Sequence, residues 1–490
     1  MMSPEELLQG IEVRATRGPL PAALAGVHYD SRMIQPGWAF VAIHGALLDG
    51  HDFIPQAEEH GASLIISELP PAPSARLAWV QVAVARQALA LASANWFQHP
   101  ARRLRLVGVT GTNGKTTTTF LVEAMLRQAG FTTGLLGTVE YHIAGAVLPS
   151  PHTTPESWDL QQLLARMTVD GCQVAALEVS SHALALERVY ACPFEVAVFT
   201  NLTQDHLDFH LSMENYAAAK RRLFQGEGAP PPRAAVVNGD DPAVAAMLRG
   251  YAGQVLRFGF GPGADLRACA LEHQPEGTHF HLEGPGGFYA DIASPLVGRF
   301  NVLNTLAALG VGWSLGLQPR ALAAGVARWP RVRGRFERVA CGQPFTVLVD
   351  YAHTPDALTH VLAAARELTR GRLRLVFGCG GDRDRGKRML MGRAAQEGAD
   401  WVLLTSDNPR SEDPQAIIAD ILAGNPPPEG GTDIDRRRAI ATALRSAQPG
   451  DTVILAGKGH ETHQILGNER LHFDDVEEAR AALAALGWKG

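Results

Sequence analysis

Residues 108–119 read Gly-Val-Thr-Gly-Thr-Asn-Gly-Lys-Thr-Thr-Thr-Thr. An apolar run, residues 104–109, leads into them, and Val122, Met125, Leu126 and Ala129 follow at helical spacing until Gly130. The reading is a strand, a glycine turn and a helix N-terminus. Backbone N–H groups of such a turn point inward and the helix dipole favours negative charge, so the segment is a phosphate cradle. Lys115 is placed to reach the outer phosphates of a nucleoside triphosphate, and the Thr116 hydroxyl to sit on Mg²⁺. The first glycine of the common G-x-x-x-x-G-K-[ST] loop would fall at Val109, so a shorter turn built on Gly111 and Gly114 replaces it.

The rest of the chain bounds what surrounds this loop. A chain of 490 residues exceeds one ordinary core and suggests about three domains. With 46% hydrophobic and 19% charged residues it reads as a soluble globular protein. A net charge of −6 argues against a nucleic-acid partner, which would call for a basic surface. Five cysteines at scattered positions show neither paired nor zinc-type spacing, which favours a reducing compartment. The N-terminus lacks the features of a signal peptide. The most apolar stretch, 302–317, is interrupted by Asn304 and contains glycines, which fits a buried helix rather than a membrane span. A cytoplasmic protein without a membrane partner is expected, acting as a monomer.

Seams at 99–103 and 329–335 divide the chain into 1–98, 99–332 and 333–490. The first segment carries Tyr29-Asp30-Ser31-Arg32, an apolar run at 38–43, a glycine-bounded loop at 45–50 and a helix-like stretch at 53–60. Apolar runs at 174–179, 194–200 and 234–237, and again at 346–349, 373–377, 401–404 and 452–455, each end in polar residues, as buried parallel strands do. Pro- and Gly-rich loops fall at 228–232 and 425–431. Three α/β domains, each with a largely parallel sheet, account for this pattern.

Ligands of open α/β sheets collect beyond the carboxyl ends of the strands. Glu178, ending the 174–179 run, stands where a second acid would hold Mg²⁺. His206, in Asn201-Leu202-Thr203-Gln204-Asp205-His206, is a candidate for a further metal contact. His206 and His210 are spaced like neighbours on a helix surface, and no further residues complete a zinc site. In the last segment, Arg383, Asp407, Arg410 and Glu461 follow three strand-like runs. If those strands are parallel neighbours, two cations and two anions converge on one edge, matching a substrate with ammonium and carboxylate at both ends.

These motifs together, Gly111-Thr112-Asn113-Gly114-Lys115-Thr116, Glu178-Val179-Ser180-Ser181-His182, Asn201 to His206, Asp350-Tyr351-Ala352-His353-Thr354-Pro355 and Gly457-Lys458-Gly459-His460-Glu461, resemble those of the Mur ligases, the ATP-dependent amino-acid ligases of peptidoglycan precursor synthesis. The resemblance spans nearly the whole chain. It implies a UDP-binding first domain, a central P-loop ATPase-like domain and a Rossmann-like last domain. It implies ATP-driven ligation through an acyl phosphate, with UDP-N-acetylmuramoyl-L-alanyl-D-glutamate as acceptor and meso-2,6-diaminopimelate as the amino acid added.

Carried onto this chain, the resemblance assigns catalysis to Lys115, Glu178, His206 and Lys220, the last as a carbamoylated lysine. It assigns Mg²⁺ to Thr116, Glu178, His206 and modified Lys220. ATP falls to Gly111, Thr112, Asn113, Gly114, Lys115, Thr116 and Thr117, with Asn301, Arg335 and Asp350. The UDP-muramoyl dipeptide falls to Ser31, His152, Thr153, Thr154, Ser180 and Arg188. Leu186 departs from the family, where a polar residue is common. Diaminopimelate falls to Arg383, Asp407, Asn408, Arg410, Gly457 and Glu461, with Arg410 on the distal carboxylate. The alternatives are a lysine-adding form of the same enzyme, a folylpolyglutamate synthetase-like ligase, and an ATP-gated binding or transport component. Hinges are expected at 99–103 and 330–335.

Overall fold

The computed structural model describes residues 1–45, 48–71, 76–274, 276–426 and 428–489. Residues 46 and 47 of the 45–50 loop, and residue 427 of the 425–431 loop, lie outside the described residues. Three main sheets follow one another along the chain, with a separate short hairpin of Glu469–His472 on His463–Leu466.

The first sheet runs Val13–Arg17, Ala78–Val82, Leu64–Ser67, Trp38–Val41, Gly26–His28. All neighbours but the first pair are parallel. Helix Ala85–Trp96 turns Ala88, Leu89 and Ala92 onto Val27, Val41, Leu64 and Val80, which gives this segment its own core.

Among the described residues the central sheet has eleven strands. Its parallel heart runs Thr133–Leu136, Val174–Glu178, Arg105–Thr110, Phe194–Phe199, Ala234–Asn238, Gln254–Gly259. The strand entering the phosphate loop therefore lies between the strands that end at Glu178 and Phe199. Helix Lys115–Gln128 follows the loop and packs beside Arg299–Ser314, the apolar stretch read as a buried helix. That helix is buried on nearly all sides, which explains its lack of a polar face. Antiparallel strands extend both edges: Glu140–Ile143 with Ala146–Pro149 on one, and on the other Leu266–Gln274, itself joined in parallel to Gln254–Gly259, with Gly277–Gly284 and Phe288–Ser294 antiparallel beyond it. Sequence reading placed no strands there because none is a solid apolar run: those over 266–284 mix buried with half-exposed residues, Glu140–Ile143 is broken by Glu140 and His142, and Ala146–Pro149 is largely exposed.

The last sheet runs Glu337–Arg338, Thr346–Asp350, Thr452–Ala456, Leu373–Phe377, Trp401–Thr405, Thr432–Asp433. All but the first pair are parallel. Leu358, Val361, Met391, Ile417 and Ile421 cover one face, and Ala439, Ile440, Ala443, Val476 and Ala479 the other, as a doubly wound sheet requires. Strands Thr452–Ala456, Leu373–Phe377 and Trp401–Thr405 are adjacent and parallel, so the three turns read as converging do share one edge. Among the described residues no helix is long and apolar enough to cross a membrane, and all five cysteines are free.

Candidate active site

The phosphate loop is pinned from the neighbouring strand end. Thr200 Oγ1 donates to the Asn113 carbonyl at 2.6 Å, Asn113 N donates to Asn201 Oδ1 at 2.9 Å, and Thr112 N to the Asn201 carbonyl at 2.9 Å. Gly114 has φ of +87°, and a Cβ there would stand 2.5 Å from Asn304 Oδ1. Any side chain at 114 would push the loop off the buried helix beneath it.

Two lysines point at one carbonyl. Lys115 Nζ donates to Gly111 O at 2.9 Å and to Thr112 O at 2.8 Å, while Lys220 Nζ, from helix Met213–Gln225, donates to Gly111 O at 2.7 Å. Burial, reinforced by the Lys115 ammonium, pushes the Lys220 pKa well below the ordinary lysine value. Burial lowers Lys115 as well. A lowered pKa favours the neutral, nucleophilic form of a lysine amine.

Thr116 donates from Oγ1 to Glu178 Oε2 at 3.1 Å. Glu178 also accepts from Thr138 N at 2.7 Å and Thr138 Oγ1 at 3.0 Å. Arg335, from the seam between the last two sheets, donates to Thr116 Oγ1 at 2.9 Å and stacks 4.5 Å over the Tyr351 ring. His206 takes a left-handed backbone, φ 54°, before a short helix, with Nε2 3.3 Å from Asp205 Oδ2. Its ring lies edge-on to His182, and burial keeps the imidazole neutral well below its ordinary pKa. Asp205 faces the last domain, 3.9 Å from both His353 Nε2 and Lys387 Nζ. Burial, then Lys387, brings His353 down to about 4.

Thr116, Glu178, His206 and Lys220 line one cavity of about 630 Å³, together with Lys115, Arg335 and Asp350. The hydroxyl of Thr116 and the carboxylate of Glu178 are hard oxygen donors suited to Mg²⁺. Among the described residues no group of three or more His, Cys, Asp or Glu side chains forms a metal site. Phosphate oxygens of a bound nucleotide would therefore complete any coordination, as Mg²⁺ at nucleotide sites commonly requires.

Of the nucleotide residues expected from sequence, Thr112, Asn113, Gly114, Thr117, Arg335 and Asp350 also line the cavity. Both Asp350 oxygens accept backbone N–H groups, from Phe336 and Ala352, each at 2.7 Å. Asn301 does not reach the cavity wall. It donates to the Val297 carbonyl and accepts from Asn304, and Asn304, one turn on, lines the wall instead. Sequence reading missed the far end of the cavity as well, where Phe260, Arg299, Phe300, Leu303 and His360 make a partly aromatic wall. Arg299 stacks 4.2 Å over the Phe260 ring. These residues come from the bend after strand Gln254–Gly259 and from two helices of different domains, and carry no local motif.

The expected acceptor residues are spread along the seam with the first domain. Thr153 and Ser180 line the cavity, and Thr154 holds Ser180 and the Glu178 carbonyl. Arg188 donates from Nη1 to Thr154 O at 3.1 Å, and its Nε lies 3.4 Å from Glu156 Oε2 as an ion pair without a hydrogen bond. His152 is exposed, its carbonyl accepting from Tyr141. Ser31 is buried away from the cavity and donates to Gln56 Oε1 at 2.7 Å. Arg86 bridges the first two domains through Glu156 and the Leu186 carbonyl, a main-chain contact that does not depend on the side chain at 186.

At the edge of the last sheet, Arg410 has φ of 52° and donates to Gly381 O at 2.7 Å. Burial, then nearby Arg383, lowers its pKa, so two cations crowd one place. Asn408 Nδ2 donates to Glu461 Oε2 at 2.7 Å, and Gly457 leaves room for the Asp407 carboxylate. Burial and the Asp407 charge raise the Glu461 pKa. The expected set, Arg383, Asp407, Asn408, Arg410, Gly457 and Glu461, thus gathers on three adjacent turns.

Family profiles match in chain order: the Mur ligase family catalytic domain over residues 23–106, the Mur ligase middle domain over 109–312, and the Mur ligase glutamate ligase domain over 334–459. A protein of Solibacter usitatus named UDP-N-acetylmuramoyl-L-alanyl-D-glutamate–2,6-diaminopimelate ligase is 48% identical over 99% of this chain and 98% of its own length. A Gloeobacter violaceus protein of the same name is 49% identical over 94% of each chain. A solved structure bearing that name superposes with a TM-score of 0.69 at 35% identity, covering 99% of both chains.

Proposed function

The chain belongs to the Mur ligase family, and on that premise we propose that it is the ATP-dependent ligase joining meso-2,6-diaminopimelate to UDP-N-acetylmuramoyl-L-alanyl-D-glutamate in peptidoglycan precursor synthesis. The observation carrying this reading is the convergence of Lys115, Thr116, Glu178 and Lys220 on a cavity that residues of the last domain also wall.

A carboxylate and an amine do not condense in water without activation, so the terminal D-glutamate carboxylate must first take the γ-phosphoryl group of ATP. Two anions must meet for that step. Lys115 and the loop N–H groups offset their repulsion, and Arg335, now on Thr116, is placed to turn onto the phosphates. Thr116, Glu178, His206 and carbamoylated Lys220 would hold Mg²⁺, which supplies further charge neutralisation when bound. Phe260, Arg299, Leu303 and His360 suit the base and ribose of the nucleotide. Thr153, Thr154, Ser180 and Arg188 orient the dipeptide, and Ser31 serves the UDP end from the first domain. The deprotonated amine of diaminopimelate then attacks the acyl phosphate, and the tetrahedral intermediate collapses to amide and phosphate. Arg383 and Arg410 take its carboxylates, while Asp407 and Glu461 face its second ammonium.

The division 1–98, 99–332 and 333–490 becomes a division of labour between UDP, ATP and amino acid. Consumption of ATP and a nucleotide sugar supports a cytoplasmic enzyme. We take the enzyme to act as a monomer. Purified protein given ATP, Mg²⁺, the UDP-muramoyl dipeptide and individual amino acids should release phosphate and form the tripeptide only with diaminopimelate. ATP turnover independent of amino acid, or turnover with lysine preferred, would overturn the reading.

A further inference from the structure

Lys458 has no solvent-exposed side-chain surface, and the reaction above gives it no substrate to touch. It follows strand Thr452–Ala456 after Gly457, in the turn that carries Glu461. Its Nζ donates to the His463 carbonyl at 2.6 Å, to Asn408 Oδ1 at 3.3 Å and to Glu461 Oε2 at 3.3 Å. It also stands 3.7 Å from Asp407 Oδ1, a buried oxygen with no hydrogen-bond partner of its own. An ammonium has three protons, and all three are engaged.

The charges here nearly balance, and the remainder is informative. Asp407 and Glu461 bring two negative charges and Lys458 one positive charge. The buried cation behind them, Arg436, is already committed to Asp475 at 2.6 Å and to the Ala456 carbonyl. Arg410 is turned to the Gly381 carbonyl. With Arg410 and Arg383 left to the substrate's carboxylates, the cluster of Asp407, Glu461 and Lys458 keeps one negative charge over, next to the unpartnered Asp407 oxygen, and an ammonium from solution suits it. Asn408 is fixed from both sides, accepting from Lys458 and Ile465 N and donating to Glu461.

We propose that Lys458 is a positioning residue of the amino-acid site, holding Asp407, Asn408 and Glu461 in one constellation and cancelling one of the two carboxylate charges. The pair then presents a single net charge to the non-reacting ammonium of the substrate. Without Lys458 the two carboxylates repel, and the pair takes up a proton at higher pH than before. Glu461 is already raised by burial and by Asp407, with Arg410, Arg436 and Tyr351 the other ionisable groups facing it. This inference rests on the diamino-acid reading above.

The test uses the full-length enzyme with Lys458→Met, and Lys458→Gln should the first variant not fold. Steady-state kinetics are taken for each of the three substrates across pH, alone and with Glu461→Gln. The KM for diaminopimelate should rise at least tenfold, with the KM for ATP within twofold of wild type. The acid limb of kcat/KM for diaminopimelate should move to higher pH, and Lys458→Met should add little once Glu461→Gln is present. A lysine that only fills space would leave that limb in place and raise all three KM values together, and this result, or an unchanged diaminopimelate KM, would sink the inference alone. A wild-type enzyme that does not use diaminopimelate would instead sink the substrate reading, and this inference with it.

Discussion

Asn113, in the phosphate loop of the central sheet, donates from Nδ2 to Asp356 Oδ2 at 2.9 Å, reaching the first turn of helix Pro355–Leu368 in the last domain. The loop that would take the nucleotide is thus tied to the domain that would take the amino acid. Asp356→Ala removes a charge-assisted hydrogen bond worth roughly 1.5–3 kcal/mol. Part of that is recovered by water at this half-buried site, so the KM for ATP should rise about three- to tenfold. The thermal midpoint should stay near wild type, because neither core loses an apolar contact. A melting point that falls while the KM for ATP holds would show the bond to be structural only.

Lys220→Ala should abolish ligation, and millimolar formate or acetate should restore part of it. The small carboxylate would replace the one that modified Lys220 brings to the cavity. The lowered pKa of Lys220, caused by burial and by Lys115, is the chemical premise. Full activity of the unaided variant would exclude the role.

Arg410→Ala should erode the preference for diaminopimelate over lysine. Lysine lacks the second carboxylate, so in the wild-type enzyme it leaves a charged, half-buried guanidinium without its partner, at roughly 2–4 kcal/mol. The ratio of kcat/KM for the two amino acids should fall by about 30- to 1000-fold. Equal ratios in variant and wild type would place discrimination elsewhere.

His142 sits between two carboxylates, hydrogen-bonding with Glu123 Oε2 and Glu140 Oε1, each at 2.8 Å. Burial disfavours its imidazolium, but the two glutamates outweigh that, and its pKa is raised. A group with a raised folded pKa contributes stability in full below its unfolded value, near 6.5, and loses it as pH climbs through the folded value. His142→Gln should therefore lower the melting temperature by a few degrees at pH 6 and by much less at pH 9. A gap that widens with pH would reverse the sign and refute the account.

The central fold was legible because solid apolar runs mark buried parallel strands, and a glycine turn before a helix marks where their ends must meet. The antiparallel strands over 266–294 and the hairpin over 140–149 were not: burial alternates along the former, and the latter pairs a strand broken by Glu140 and His142 with a largely exposed one, so neither gives such a run. Within the site, residues in contiguous motifs were readable one by one: Lys115, Thr116, Glu178, Arg410. Asn301 and Asn304 belong to the same helix and differ by less than one turn, so only packing decides that Asn304 faces the cavity while Asn301 faces Val297.

Sequence alone determined the chemistry: a phosphate loop, an acid at the adjoining strand end, and charged turns of both signs farther along. These are local properties, set by residue type and by periodicity over a few turns of chain. Tertiary structure alone decided which of those groups share space. Lys220 meets Lys115 at one carbonyl, Arg335 reaches Thr116, and Lys458 lies between Asp407 and Glu461. Those meetings depend on strand order and on how the domains close, and most join residues far apart in the chain, so no local pattern could encode them.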